Sequence, residues 1–318
     1  MKPHWTDINI PNLRDATAIV TGASSGVGLE ISRQLASHGA QVIMASRNLH
    51  RTQTAAQAIE VRHPGVQVEA HQLDLADLAS VKIFSSMFLE KFPKLDILVN
   101  NAAVSGGPRR VTLDGFEANF QINYLSHFAL TGLLLPALMK TASRVVSVSS
   151  DVASNGKINF EDLQSEYKYG FIAAYAQSKL ANLLFAMELD RRCRKAAIGI
   201  NSLTTNPGVT TSNLLRDKES DWGRRPTATE RLLQFAQKIL ALPVERGALP
   251  ALYQATEPSA CSDEYVVGEK WPKRGYPTLG KMPSSALDTV AAGRLWSLSE
   301  HLTGVHFNLL QAHAAGAQ

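Results

Sequence analysis

Tyr175 and Lys179, in the run Ala174-Tyr-Ala-Gln-Ser-Lys-Leu180, are the residues whose types and spacing point most directly to chemistry. Positions i and i+4 share one face of a helix, so the phenol and the ammonium can converge on one small volume. A nearby cation favours the phenolate and is expected to lower the tyrosine pKa toward the range useful for proton transfer with an alcohol or carbonyl. The same spacing occurs in ordinary exposed helix pairs. Two upstream features give it weight here: the turn Thr21-Gly-Ala-Ser-Ser-Gly-Val-Gly28 and the run Asn100-Asn-Ala-Ala103. A third is the pair Ser149 and Ser150, which closes Val145-Val-Ser-Val-Ser-Ser150. Strand alternation turns these two side chains to opposite faces, so only one can serve a site. A hydroxyl there could hydrogen-bond a substrate oxygen as charge develops on it.

These residues need elements to hold them. Ala16–Val20, Gln41–Ala45, Val66–Ala70, Leu95–Val99, Arg144–Val148 and Ile198–Leu203 read as buried strands, and Tyr265–Val267 as a seventh. Between them lie stretches with helical spacing, such as Val27/Ile31/Leu35 and Val81/Phe84/Phe88. Alternation of this kind implies a single doubly wound α/β domain of Rossmann type, with a mostly parallel seven-stranded sheet and helices on both faces. We read residues 1–13 as an N-terminal lead, 14–310 as one domain and 311–318 as a flexible tail. From 207 to 243 the pattern loosens. A long irregular segment in a compact domain suggests a substrate lid, with Leu214, Leu215 and Trp222 as its apolar surface.

The glycine turn follows an apolar strand and opens a helix, where free N–H groups and a partial positive charge suit a pyrophosphate. Gly22, Gly26 and Gly28 allow close backbone approach, and Ser24 and Ser25 add hydroxyl donors. The end of the second strand decides which nicotinamide nucleotide fits, because an acid there would repel a 2′-phosphate. This chain instead reads Met44-Ala-Ser-Arg-Asn48. Arg47 can pair with a phosphate and stack on adenine, so the expected cofactor is NADP(H).

Bulk properties exclude other classes. A net charge of +4, spread evenly over 318 residues, does not argue for nucleic acid. Two cysteines make no disulfide framework, and no Cys/His spacing resembles a metal site. The N-terminus has no apolar run that reads as a signal or anchor, and no stretch approaches the ~20 residues of a membrane span. A cytoplasmic protein is expected.

The Tyr-x-x-x-Lys pair, the glycine turn and the Asn-Asn-Ala-Ala run, in this order, resemble the short-chain dehydrogenase/reductase family. The likeness is greatest to its retinol-dehydrogenase-like and protochlorophyllide-reductase-like branch, carried by Asp114–Phe128 and Ala174–Phe185. The resemblance implies an oxidoreductase acting on a carbonyl/alcohol pair, with Tyr175 as general acid/base, Lys179 holding the nicotinamide ribose, and Ser150 rather than Ser149 on the substrate oxygen. Asn123 would be the fourth catalytic member, behind the lysine. The family pattern also places Val27 in the phosphate turn, Asp74 and Leu75 at the adenine, and Asn100 and Ala102 at its ribose. Pro207, Gly208, Val209 and Thr210 would cover the nicotinamide carboxamide.

The stretch between Ser150 and Tyr175 is longer than in most of the family and is expected to form a flap. His127, four residues after Asn123, reads as a buried structural histidine. Light-driven protochlorophyllide reductases carry a cysteine where this chain has Asn100, so that activity is not expected. Many retinol dehydrogenases carry an N-terminal membrane anchor; its absence points to a soluble relative. The expected substrate is a lipophilic ketone or aldehyde. Whether it is reduced in a biosynthetic pathway or in aldehyde metabolism stays open. A catalytically silent NADP(H) sensor is the rival reading. In this family the helices flanking Asn123 and Tyr175 form the usual subunit contact, and Leu180, Leu183 and Leu184 suit a homodimer.

Overall fold

Strands buried on both faces must be apolar along their whole length, and β1 (Thr17–Thr21), β2 (Gln41–Ser46) and β4 (Ile97–Asn100) are almost entirely buried. The computed structural model describes residues 4–208, 242–269 and 275–309. The remaining strands are β3 (Gln67–Gln72), β5 (Arg144–Val148), β6 (Asn201–Asn206), β7 (Tyr265–Gly268) and β8 (Pro277–Leu279). They form one sheet in the order β3-β2-β1-β4-β5-β6-β7-β8, parallel throughout except for β7 with β8. Strand order reverses between β1 and β4. That is the topological switch point, where such sheets bind ligands beyond their carboxyl ends.

Side chains alternate between the two faces, as strand geometry requires. Ile19 and Leu98 enter one core, with α3 (Leu78–Lys91), α5 (Ser126–Leu133) and α7 (Phe171–Lys195). Ala18, Val20, Ile97 and Val99 enter the other, with α1 (Gly26–Ser37), α2 (Leu49–Arg62) and α8 (Val244–Thr256). Two short helices, α4 (Ala118–Phe120) and α6 (Leu135–Leu138), flank α5, and α9 (Thr289–Thr303) closes the described chain.

The sheet has eight strands, not the expected seven. β8 is three residues long, begins with a proline and lies on the edge, where proline is tolerated; it leaves no apolar run to read. The N-terminal lead is packed onto the domain. Trp5 is fully buried against Tyr253, its indole N–H donating to Glu257 Oε2 at 3.0 Å. A lone tryptophan among polar residues carries no periodicity that would announce this. The expected lid lies outside the described residues from 209 to 241, Val209, Thr210, Leu214, Leu215 and Trp222 included, and so does the expected tail.

The helix face expected for a subunit contact is covered by the chain itself. Asp288 caps α9 by accepting from the N–H groups of Val290 and Ala291, and Gly304, at φ 65°, ends it. Between these ends Trp296 stacks on Phe185 of α7 at 5.9 Å and meets Phe128 of α5 edge-on at 5.1 Å. Phe307 completes the cluster, 4.5 Å from Trp296. Gly132 makes room for this: a Cβ there would lie 2.6 Å from Val305 and 2.7 Å from Phe307. Leu180, Leu183 and Leu184 are buried within one chain. With this face covered, light scattering should return the mass of a single chain across a wide concentration range. A concentration-independent dimer would require a contact elsewhere.

Candidate active site

The carboxyl end of β5 brings the site together. Ser149 is buried and its hydroxyl donates to the Lys179 carbonyl at 2.9 Å, while Ser150 is hydrogen-bonded to the Tyr175 phenol. The two serines thus divide as strand alternation requires, one to the helix backbone and one to the site. Lys179 is only 2% exposed; its Nζ donates to the Val148 carbonyl at 3.0 Å and lies 5.8 Å from the Tyr175 ring centroid. Asn182, one helical turn on, donates to the same carbonyl at 3.2 Å. Its i+3 spacing from Lys179 is the signal in the sequence that marks it.

The electrostatics differ from the expected pattern. Burial pushes the Tyr175 phenol up to about 12, opposed by its hydrogen bond to Ser150. Desolvation pulls Lys179 down to about 7. The predicted depression of the tyrosine by its neighbouring cation is therefore absent from this ligand-free arrangement. The physical reason is that burial penalises both charged forms and the ammonium is directed to Val148 rather than to the phenol oxygen.

Asn123 sits in a single π turn, Gln121–Leu125, between α4 and α5; such turns are frequent at functional sites. Its amide forks three ways. Oδ1 accepts from Val104 N at 2.7 Å, and Nδ2 donates to Val104 O and to Ser178 Oγ, both at 2.9 Å. The residue thereby ties the segment after β4 to α7, one position before Lys179.

His127 is buried, as expected, and its partners join the two halves of the site. The Asn123 carbonyl can only accept, so Nδ1, 3.0 Å away, carries the hydrogen. Nε2, 2.9 Å from Thr21 Oγ1, then accepts. Burial pulls the imidazole down to about 4, which keeps it neutral. Thr21 Oγ1 in turn accepts from the N–H groups of Asn101 and Ala102, each at 2.9 Å. One hydroxyl thus registers the glycine turn against the segment after β4.

The glycine turn has the form a phosphate requires. Gly22 and Gly26 have φ of 66° and 58°, and Ser25 caps α1 without a side-chain bond to it, leaving first-turn N–H groups available. A Cβ on Gly28 would lie 2.5 Å from both Gly22 O and Asn101 Nδ2. Gly28 is therefore demanded by the fold of the turn itself. Ser24 is half-buried beside it and Val27 is buried.

Arg47 lies exposed at the end of β2, after the buried Ser46. Asp74 is half-buried and accepts from Ala76 N at 2.9 Å; Leu75 is buried, its carbonyl taking the Ser126 hydroxyl. Asn100 closes β4 with its side chain turned inward. It is 3% exposed and its Nδ2 donates to Thr131 Oγ1 at 3.2 Å, inside the fold. Asn101 takes over the contact with the turn, donating from Nδ2 to Thr21 O at 2.8 Å. After Pro207, Gly208 has φ 72° and donates to Asn206 Oδ1, while Asn206 Nδ2 donates to Asp151 at 2.8 Å. These donors, glycines and the adjacent Arg47 fit a nicotinamide dinucleotide.

Between the turn that follows Ser150 and the start of α7 the surface dips into a depression of about 450 Å³, lined by Val152 and Asn155 on one side and by residues 170–173 with Ala176 on the other. Among the described residues no group of His, Cys, Asp and Glu could hold a metal ion, and no helix is long and apolar enough to cross a membrane.

Known proteins share this architecture. The sequence model of the short chain dehydrogenase family matches residues 16–222. Retinol dehydrogenase 14 of Mus musculus is 38% identical over 300 residues, covering 91% of this chain and 86% of its own length. Retinol dehydrogenase 13 of Homo sapiens is 36% identical over 294 residues, covering 91% and 85%. An uncharacterized protein of Mycobacterium paratuberculosis, 36% identical, superposes with a TM-score of 0.78 over 96% of this chain and 99% of its own. The chain belongs to the short-chain dehydrogenase/reductase family, and it is an oxidoreductase acting on CH–OH donors with a nicotinamide nucleotide.

Proposed function

We propose that the protein is an NADP(H)-dependent reductase of a lipophilic ketone or aldehyde, with Tyr175 as its general acid. The observation that carries this reading is the meeting of Ser150 and Tyr175 above the buried Lys179 at the end of β5. Bound NADPH supplies the hydride. The Tyr175 phenol, which burial keeps protonated, donates its proton to the substrate oxygen, while the Ser150 hydroxyl hydrogen-bonds that oxygen as charge develops. Lys179 holds the nicotinamide ribose, and Asn123 fixes the helix that presents it. In the direction of alcohol oxidation the same phenol must act as a base, a role its raised pKa disfavours.

Support for NADP(H) comes from Arg47 at the end of β2, preceded by Ala45 and Ser46 where an acid would exclude a 2′-phosphate. Support for a lipophilic substrate comes from the apolar depression at the start of α7, and from relatives named for retinol dehydrogenation.

Arg47→Ala should weaken NADPH binding by about 1.5–3 kcal/mol, roughly 10- to 150-fold, and NADH binding far less. Fluorescence titration of the two cofactors checks this, and an equal loss for both would remove the argument. Tyr175→Phe preserves ring packing but deletes the transferable proton. Its kcat should fall by ~10²–10⁴ with NADPH affinity retained. Full activity in this variant would refute the mechanism. Tight NADPH binding by the wild type, without turnover in a broad carbonyl panel, would favour the sensor reading.

A further inference from the structure

The Val148 carbonyl stands where the sheet stops supplying partners. The β4–β5 ladder ends with Asn100 beside Ser147, so Val148 lies one residue past it. Ser149 gives its N–H to Thr205 of β6 at 2.8 Å. Successive residues of a strand turn their backbone groups to opposite edges, so the Val148 carbonyl is directed to the β4 side. Two side chains of α7 take it there. Lys179 Nζ donates at 3.0 Å and Asn182 Nδ2 at 3.2 Å. A carbonyl oxygen has two lone pairs, and one helix supplies a donor to each.

For a structure at rest one of these donors is redundant, because the lysine already satisfies the buried acceptor. Asn182 nevertheless places an amide only 4% exposed beside it. Its neighbours on α7, Leu180, Ala181, Leu183, Leu184 and Phe185, are all buried and apolar. A leucine would continue that run without desolvating an amide. The redundancy matters once Lys179 has to leave. Its backbone cannot follow: the Lys179 carbonyl accepts from the Ser149 hydroxyl at 2.9 Å, and Asn123 holds the preceding Ser178 at 2.9 Å. Only the side-chain stem is left to turn, and turning it toward a ligand takes the ammonium off Val148. With no second donor a buried carbonyl would be stranded, and that penalty would fall on ligand affinity.

We propose that Asn182 is a positioning residue for Lys179: it stays on the Val148 carbonyl when the ammonium turns to the nicotinamide ribose, so that cofactor binding strands no buried acceptor. The inference rests on the proposed reading of Lys179 as the cation that holds this ribose. The Asn182 amide is directed to Val148, so it acts through the lysine.

The test measures binding rather than turnover, by titration with NADP⁺ and with adenosine 2′,5′-bisphosphate. The second probe carries the adenine half of the cofactor and no nicotinamide ribose. Asn182→Leu should weaken NADP⁺ about tenfold and leave the Kd for adenosine 2′,5′-bisphosphate within about twofold. Asn182→Ala, which asks for no extra volume, is a second variant with the same expectation. In a Lys179→Met background, Asn182→Leu should weaken NADP⁺ no further, because no ammonium then leaves Val148. Equal loss of both probes in both variants would mark Asn182 as merely structural and overturn the proposal. Unchanged NADP⁺ binding would also overturn it, since Lys179 would then keep Val148 while it bonds the ribose. So would a full additional loss in the Lys179→Met background. Lys179→Met alone separates the two levels: if it binds NADP⁺ as tightly as the wild type, the reading of Lys179 fails, whatever Asn182 does.

Discussion

A primary ammonium held out of water beneath a tyrosine is the constraint on which this structure turns. Lys179 is among the largest fully buried side chains of the protein, in the company of Trp5, Tyr124 and Phe128. Among the described residues no carboxylate pairs with it, and its hydrogen-bond partner is the Val148 carbonyl. A charge taken from water without a counter-charge is so costly that the group gives up its proton instead. Its descent from 10.5 to about 7 is that response, and corresponds to roughly 5 kcal/mol. Between pH 7 and 10.5 the unfolded chain holds a proton at this position that the folded chain has released, so the lysine makes folding stability rise with pH across that window. Nothing in the packing of α7 requires a lysine there. On the proposed reading the position serves the nicotinamide ribose.

Much of the surrounding structure can be read as what keeps Lys179 in place. Ser149 secures its backbone carbonyl, Asn182 shares its acceptor, and Asn123 grips the preceding Ser178. Asn123 is held in turn by Val104 and by neutral His127, and His127 reaches Thr21 at the mouth of the glycine turn. The cofactor cradle and the proton-transfer pair are thus successive stations of one hydrogen-bonded path through buried side chains. Buried networks of this kind are rigid when every member is satisfied; among the described residues around it, Asn100 Oδ1, Ser147 Oγ and Asn119 Oδ1 are left without a partner.

The sheet, the glycine turn and the convergence of Tyr175 with Lys179 were legible in the sequence because each follows from a period or a local spacing. Apolar runs report buried strands, and i, i+4 reports a shared helix face. The choice between Ser149 and Ser150 lay beyond spacing, since both faces of β5 are covered; only contact with α7 separates the two. What long-range packing decides was not legible. Asn100 and Asn101 are adjacent and chemically identical, yet one is spent on Thr131 and the other on the turn. Trp5 and Trp296 are isolated aromatics whose burial depends on partners more than 100 residues away. The leucines of α7 were read as suiting a homodimer contact. Which partner depended on α9, whose docking leaves no local signature. The direction of the tyrosine pKa failed for a related reason: spacing shows that a cation is near, but not that burial acts on both groups.

The direct test is the titration of Lys179 itself. Protein labelled at lysine side chains, free of cofactor, can be followed by NMR from pH 6 to 11, with Lys179→Met identifying the resonance. One lysine titrating near pH 7, and missing from the variant, is the result this account predicts. A Lys179 that titrates with the exposed lysines, near its ordinary 10.5, would contradict it, because the ammonium would then not be held in a dry site.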